Sequence, residues 1–149
     1  MLIINLTQHT ATPEQMAAGV RDLPPAEREM LVHALTIEEL PSPKDILDRA
    51  ATVALLAVNN GLGADNGDDP HPAQAMIGGP PWMMRALEDA VLDQGVEPVY
   101  AFARRDSHEQ AQPDGSIKKT TVFRHAGFLP RIDLDTQGYA AAPAAPQPE

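Results

Sequence analysis

Ala75-Met76-Ile77-Gly78-Gly79-Pro80-Pro81-Trp82 is the stretch that decides the fold. A short apolar run ends in two glycines, two prolines follow, and Trp82, Met83, Met84, Ala86 and Leu87 then begin a helical pattern. That order predicts a strand, a tight turn and a helix N-terminus, because glycine supplies backbone angles other residues avoid and proline is tolerated in a helix's first turn. In an open α/β sheet, ligands bind outside the carboxyl ends of such strands. A helix start there offers backbone N–H groups to an anion. The turn has neither the spacing of G-x-G-x-x-G nor the lysine of a phosphate-binding P-loop.

Working outward, residues 2–6 form a brief apolar run ending in Thr7-Gln8-His9-Thr10, the signature of a buried strand that stops in polar side chains. Thr12-Pro13-Glu14-Gln15 supplies an N-cap, a proline at the first helical position and Gln at N3, and Gly19 stops the helix. A short second strand is expected from Val20 to Leu23. A helix follows over residues 26–35, with Met30, Leu31, Ala34 and Leu35 on its apolar face and a strand through Leu31-Val32 as the competing reading. Ser42-Pro43 opens a longer helix to about residue 58, with a core stripe of Ile46, Leu47, Ala50, Val53, Ala54 and Ala57. Residues 59–74 read as a loop carrying Asp65, Asp68, Asp69 and His71, whose spacing does not match a twelve-residue calcium loop. Past the opening stretch, Gly95 ends the helix and residues 96–103 form a strand that is apolar on both faces, as a central strand is. Pro113-Asp114-Gly115-Ser116 is a turn, and residues 117–128 return as a strand. From Asp135 the Ala/Pro-rich tail lacks core material.

The expectation is a single domain over residues 1–132 and a disordered tail over 133–149. The domain is a small three-layer α/β sandwich with a mainly parallel sheet and a C-terminal antiparallel hairpin strand. A length of 149 residues with 43% apolar content is enough for one core. No apolar run spans a membrane, no signal peptide is evident, and zero cysteines remove disulfides and thiolate metal sites, so a cytoplasmic protein is expected. The net charge of −10 argues against long nucleic acid. Residues 104–131, however, hold six basic and three acidic side chains, against five basic and eighteen acidic elsewhere. A basic segment on an acidic body can capture a small anion.

If the strands at Ile3, Ala75 and Val99 are parallel, their carboxyl ends gather Thr7, Gln8 and His9, then Gly78 and Gly79, then Arg104, Arg105 and Ser107. The returning strand adds Lys118, Lys119, Arg124 and His125. Glycine N–H groups, guanidinium forks and hydroxyls form a phosphate-recognition set. Each also has a structural reading: His9 as a turn residue, Gly78-Gly79 as helix–sheet packing, the basic pairs as charges on an exposed hairpin. Arg124 and His125, neighbours on a strand, point to opposite faces. The methionines Met30, Met76, Met83 and Met84 read as core. Ser107-His108-Glu109 is contiguous and cannot be a triad, and five histidines without an H-x-x-x-H pair argue against zinc. No metal and no cofactor are expected.

Asn5-Leu6-Thr7-Gln8-His9-Thr10-Ala11-Thr12-Pro13-Glu14-Gln15, Ala75-Met76-Ile77-Gly78-Gly79 with Pro98-Val99-Tyr100-Ala101-Phe102, and Val122-Phe123-Arg124-His125-Ala126-Gly127-Phe128 together resemble a group of small uncharacterised bacterial and phage-borne proteins over about residues 2–129. More loosely, the layout is similar to compact CRISPR-associated Rossmann-like (CARF-type) domains, some of which are ring nucleases. That resemblance implies a homodimer binding a small anionic, nucleotide-like ligand of the cyclic oligonucleotide class. If the chain is an enzyme, it implies a metal-independent phosphodiesterase of ring nuclease type. His9 would be catalytic and Thr7, Gln8, Gly78, Gly79, Arg104, Arg105, Ser107, Lys119 and His125 ligand-binding. The rival expectation is a non-enzymatic interaction module of a phage or mobile element, docking through its acidic surface and basic hairpin. A third, a metal-dependent hydrolase, would use Asp65, Asp68 and His71.

Overall fold

A computed structural model describes residues 2–60 and 73–141. Three short strands, β1 (Ile3–Leu6), β2 (Val20–Asp22) and β3 (Gln74–Ile77), and two long ones, β4 (Glu97–Ala111) and β5 (Ile117–Pro130), form one sheet in the order β2-β1-β3-β4-β5. Pairing is parallel from β2 through β4, with Ile3 opposite both Val20 and Gln74, and Met76 opposite Val99. Within this sheet only β4 and β5 pair antiparallel. The chain is thus a mixed α/β structure with a mostly parallel sheet, as its sequence predicts.

Four helices connect these strands: α1 (Pro13–Ala17), α2 (Pro25–Leu35), α3 (Pro43–Asn59) and α4 (Met84–Asp93), the last preceded by a 3-10 turn, Pro81–Met83. Thr12 and Gln15 close the expected capping box on α1, and Ser42 accepts from the Asp45 N–H at the start of α3. Gly95, at φ +76, ends α4 in the left-handed conformation that glycine adopts without strain.

Strand alternation sends side chains to two faces. Ile4, Leu6, Ala75 and Ile77 join a large core with residues of α2, α3 and α4, among them Leu31, Leu35, Val53, Leu87 and Val91. Ile3, Val20, Met76, Val99 and Phe128 make a smaller core with Ala11 and Ala18, which flank α1. Each fully buried aliphatic side chain contributes about 1.5–3 kcal/mol. Residues 26–35 are helical, not a strand, but Met30, expected in the core, is exposed: α2 packs through Leu31, Ala34 and Leu35, and Met30 turns away from that face. Leu47 is likewise exposed on α3.

The two long strands depart most from expectation. β4 continues eight residues beyond Ala103, and it pairs with β3 only through Glu97, Pro98 and Val99. Past Tyr100 it pairs with β5 alone, so Ala101, Phe102 and Ala103 are exposed where a central strand was expected. The cause is the shortness of β3, which stops at Ile77 and leaves the ribbon to run on without a flanking strand. The register shifts between Phe102 and Ala103, where Ala126 is the extra residue on β5. Gln112 and Ser116 close the turn, with Asp114 accepting from both the Ser116 N–H and hydroxyl.

Beyond Pro130, Arg131 forks onto Glu97 at 3.1 and 3.3 Å, and β6 (Ile132–Asp133) and β7 (Gly138–Tyr139), the latter within the expected tail of residues 133–149, form a small separate hairpin. Asp65, Asp68, Asp69 and His71 lie outside the described residues. Among the described residues no helix is long and apolar enough to cross a membrane, and no group of three His, Asp or Glu side chains could hold a metal ion.

Candidate functional site

The strand order dictates where a ligand could enter. β1 and β3 are neighbours, but the chain leaving β1 goes on to β2 on one side while the chain leaving β3 goes on to β4 on the other. The two exit loops therefore diverge and open a crevice at the carboxyl ends of the strands. A cavity of about 460 Å³ lies there. Its floor is apolar, from Met76, Ile77 and Ala101, and its rim is polar, from Thr7, Gln8, His9 and Thr10 on one side and Gly78, Gly79 and Tyr100 on the other. Thr12 and Gln15, at the start of α1, complete the wall. The volume falls within the range of small-molecule sites.

The loop after β1 is held from beneath by Asn5, a polar residue buried completely in an apolar strand. Its amide nitrogen donates to the His9 carbonyl and to Asp22 Oδ1, each at 2.7 Å. Its oxygen accepts from the Thr7 N–H at 2.9 Å and the Thr7 hydroxyl at 2.7 Å. Asp22 also accepts from the Ala11 N–H at 3.0 Å. Arg28 donates to the Gln8 carbonyl at 2.8 Å, and the Gln8 side chain donates to the Leu35 carbonyl at 3.0 Å. Thr7, Gln8 and His9 are thus fixed by contacts to β2 and α2, and the exposed His9 imidazole is carried at the cleft's edge on a backbone with little freedom.

On the opposite side, a Cβ on Gly78 would come 3.3 Å from Thr7 Cγ2, so the two loops approach as closely as a missing side chain allows. Pro80 and Pro81 have no N–H, and the Met83 N–H is taken by the Pro80 carbonyl at 2.9 Å. Any anion contact at this turn falls mainly to the N–H groups of Gly78 and Gly79. Tyr100 donates its hydroxyl to Glu88 of α4, and burial with that carboxylate drives the phenol well above its ordinary pKa of 10.0.

The structure brings Thr7, Gln8, His9, Gly78 and Gly79 together as expected. It does not bring the other five to the cleft. Arg104 lies beside Asp106 at 3.5 Å, and the Arg105 guanidinium rests 5.6 Å above the Phe123 ring. Ser107 faces Thr121, Lys119 faces Glu109, and all lie on the ribbon. His125 packs on Phe128 with ring centroids 4.7 Å apart. Burial lowers its imidazole pKa below 6.5, opposed by the charge of Glu14. The ribbon's base is nonetheless moored to the cleft wall: Glu14 of α1 accepts from the His125 N–H at 3.0 Å and lies 3.8 Å from Arg124.

Sequence reasoning missed Asn5, Asp22, Arg28 and Tyr100 as parts of this site. A readable signal existed for Asn5, since a carboxamide inside an otherwise apolar strand must find partners where it is buried. Asp22 and Arg28 reach the loop from 17 and 20 residues away, a proximity that only the fold creates.

Fold and cleft together define a mixed α/β protein with a small-molecule-sized cavity at the carboxyl edge of a mostly parallel sheet. More narrowly, the chain belongs to the Uncharacterized protein MJ1673 family, whose model matches residues 1–129 and so takes in both the cleft and the ribbon. No curated protein and no solved structure matches it.

Proposed function

We propose that this chain binds a small nucleotide-type ligand, of the cyclic oligonucleotide class, in the cleft between the β1 and β3 exit loops. The observation that carries the reading is the coincidence of the 460 Å³ cavity with the point where the strand order reverses direction. We take the architecture as a three-layer Rossmann-like sandwich, supported by the separate cores on the two faces of the sheet. We also take the protein as a cytoplasmic homodimer. The apolar floor suits a base, the threonine hydroxyls and Gln15 suit a ribose, and the Gly78 and Gly79 N–H groups suit one phosphate. The cavity is sized for roughly one nucleotide unit, so one unit of a cyclic ligand would enter the cleft of each chain.

In this reading recognition is by hydroxyls, amides and backbone N–H groups, since among the described residues no lysine or arginine lines the cavity. The chemistry such a cleft offers is attack of a ribose 2′-hydroxyl on the adjacent phosphodiester, held in line. The 2′-proton passes to His9, the P–O2′ bond forms a 2′,3′-cyclic phosphate as the P–O5′ bond breaks, and the departing 5′-oxygen takes a proton from water.

Thermal shift and calorimetry with AMP, cyclic dinucleotides and cyclic oligoadenylates test this. A ligand at 100 times its Kd should stabilise by about 2.7 kcal/mol, raising Tm by roughly 5–10 °C. Gly78→Val should abolish the shift, whereas His9→Ala should retain binding and lose ring opening. Failure of every ligand to shift Tm, or binding unaffected by Gly78→Val, overturns the reading.

A further inference from the structure

We propose that the open edge of β4 beyond Val99 pairs, antiparallel, with the same edge of a second copy of this chain, with the two-fold axis at Ser107. Residues 101–111 are all exposed except the half-buried Asp106, and among the described residues no strand pairs with that edge past Val99. A two-stranded ribbon is only marginally stable in water, and an unpaired edge is a template for another strand.

The backbone orientation says which groups that edge presents. The Glu97 N–H donates across to Ala73, on the β3 side. N–H and C=O groups alternate sides along a strand, so Ala103, Arg105, Ser107, Glu109 and Ala111 direct theirs to the same open edge. Two other bonds agree. Gln112, of opposite parity, donates inward to Ser116, and His125, opposite Ala103, donates outward to Glu14.

Charge then selects both the edge and the register. β5 carries Lys118, Lys119 and Arg124 with no acidic residue, so pairing it with itself adds only like charge, and its base is already occupied by Glu14. β4 carries both signs. A two-fold axis at Ser107 sets Arg105 opposite the partner's Glu109, Asp106 opposite the partner's His108, and Ala103 opposite the partner's Ala111. Each pair occurs twice, and Arg105 stands directly opposite a carboxylate, where opposite charges attract across strands. Moving the axis one residue sets Asp106 against itself or His108 against itself. Arg105 and Glu109 share a face, and Arg105 is held over Phe123 on that face. The product is one continuous four-stranded ribbon with no open β4 edge.

The proposal needs self-association but not the ligand reading. Sedimentation velocity on the full chain tests it. The wild type should dimerise; Arg105→Glu and Glu109→Arg should each weaken the dimer at least tenfold, and the double reversal should restore it to within threefold of wild type. Ser107→Pro should abolish the dimer while leaving the monomer folded, because the N–H removed faces the open edge. Thr121→Pro, on the far edge of β5, should leave the dimer intact. A wild type that stays monomeric or takes up only a different protein overturns the proposal. So does a dimer that survives Ser107→Pro but not Thr121→Pro, or a double reversal that fails to restore association. If Ser107→Pro does not fold, the charge exchange alone decides. A ligand-induced Tm shift in a monomeric sample would leave the cleft reading standing while this one falls.

Discussion

Replacing Asn5 with leucine keeps the branched heavy-atom outline, adds methyl bulk, and deletes the polar contacts that Asn5 itself makes beneath the β1 exit loop. Four hydrogen bonds disappear, to the His9 carbonyl, Asp22, the Thr7 N–H and the Thr7 hydroxyl. Each contributes about 1 kcal/mol net, and a buried partner left unsatisfied costs about 1–3 kcal/mol. Asp22 keeps its bond to the Ala11 N–H and the Thr7 hydroxyl can turn to the His9 carbonyl, so part of the loss is recovered. The net effect should be a destabilisation of about 3–5 kcal/mol, or roughly 10 °C in Tm for a chain of this size. Thr7→Val, which removes a single hydroxyl donor, should cost about 1 kcal/mol. The double variant should be less destabilised than the sum by at least about 0.5 kcal/mol, since both changes remove the same bond. Urea titrations give the energies, and hydrogen exchange at the Thr7 and Ala11 amides reads the loop directly. A loss below about 1 kcal/mol for Asn5→Leu, with both amides still protected, would refute the claim that this one buried carboxamide organises the cleft's edge.

Other consequences are equally direct. Gly78→Ala sets a methyl 3.3 Å from Thr7 Cγ2, so it should destabilise by about 1 kcal/mol and close the cleft measurably in ligand titrations. His125 favours its neutral form in the folded chain because burial lowers its pKa; its contribution to stability is present above pH 6.5 and lost as the pH falls through the lowered value. An NMR titration should show its imidazole protonating at lower pH than a free histidine, and Glu14→Gln should lower that midpoint further. Tyr100 should show no phenolate absorbance at pH 10, and Glu88→Gln should bring its titration back toward the ordinary value. Arg49→Ala removes one guanidinium that donates to the His33, Ala34 and Thr36 carbonyls at the end of α2, so thermal unfolding should register a loss of about 2–3 kcal/mol.

Local chemistry made much of the fold legible in the amino acids alone. Thr12-Pro13 and Ser42-Pro43 mark helix starts because a hydroxyl can cap free N–H groups and proline lacks one to satisfy, and both helices begin where those residues stand. The parallel core strands declared themselves as short apolar runs, and Gly78-Gly79 marked the turn that ends one of them. Sequence likewise identified Thr7, Gln8, His9 and the two glycines as neighbours, since they follow strands whose parallel pairing aligns their ends. The extent of β4 could not be read this way. Burial of a strand depends on its flanking strand, and β3's end at Ile77 was the deciding fact, so Arg104, Arg105, Ser107, Lys119 and His125 moved from an expected anion site to a ribbon. Nor could sequence show that Asp22 and Arg28 converge on Asn5 and Gln8, or that Glu14 grips the base of the ribbon. Those contacts join residues 17, 20 and 111 positions apart, and only the assembled sheet, with its strand order β2-β1-β3-β4-β5, brings them within bonding distance.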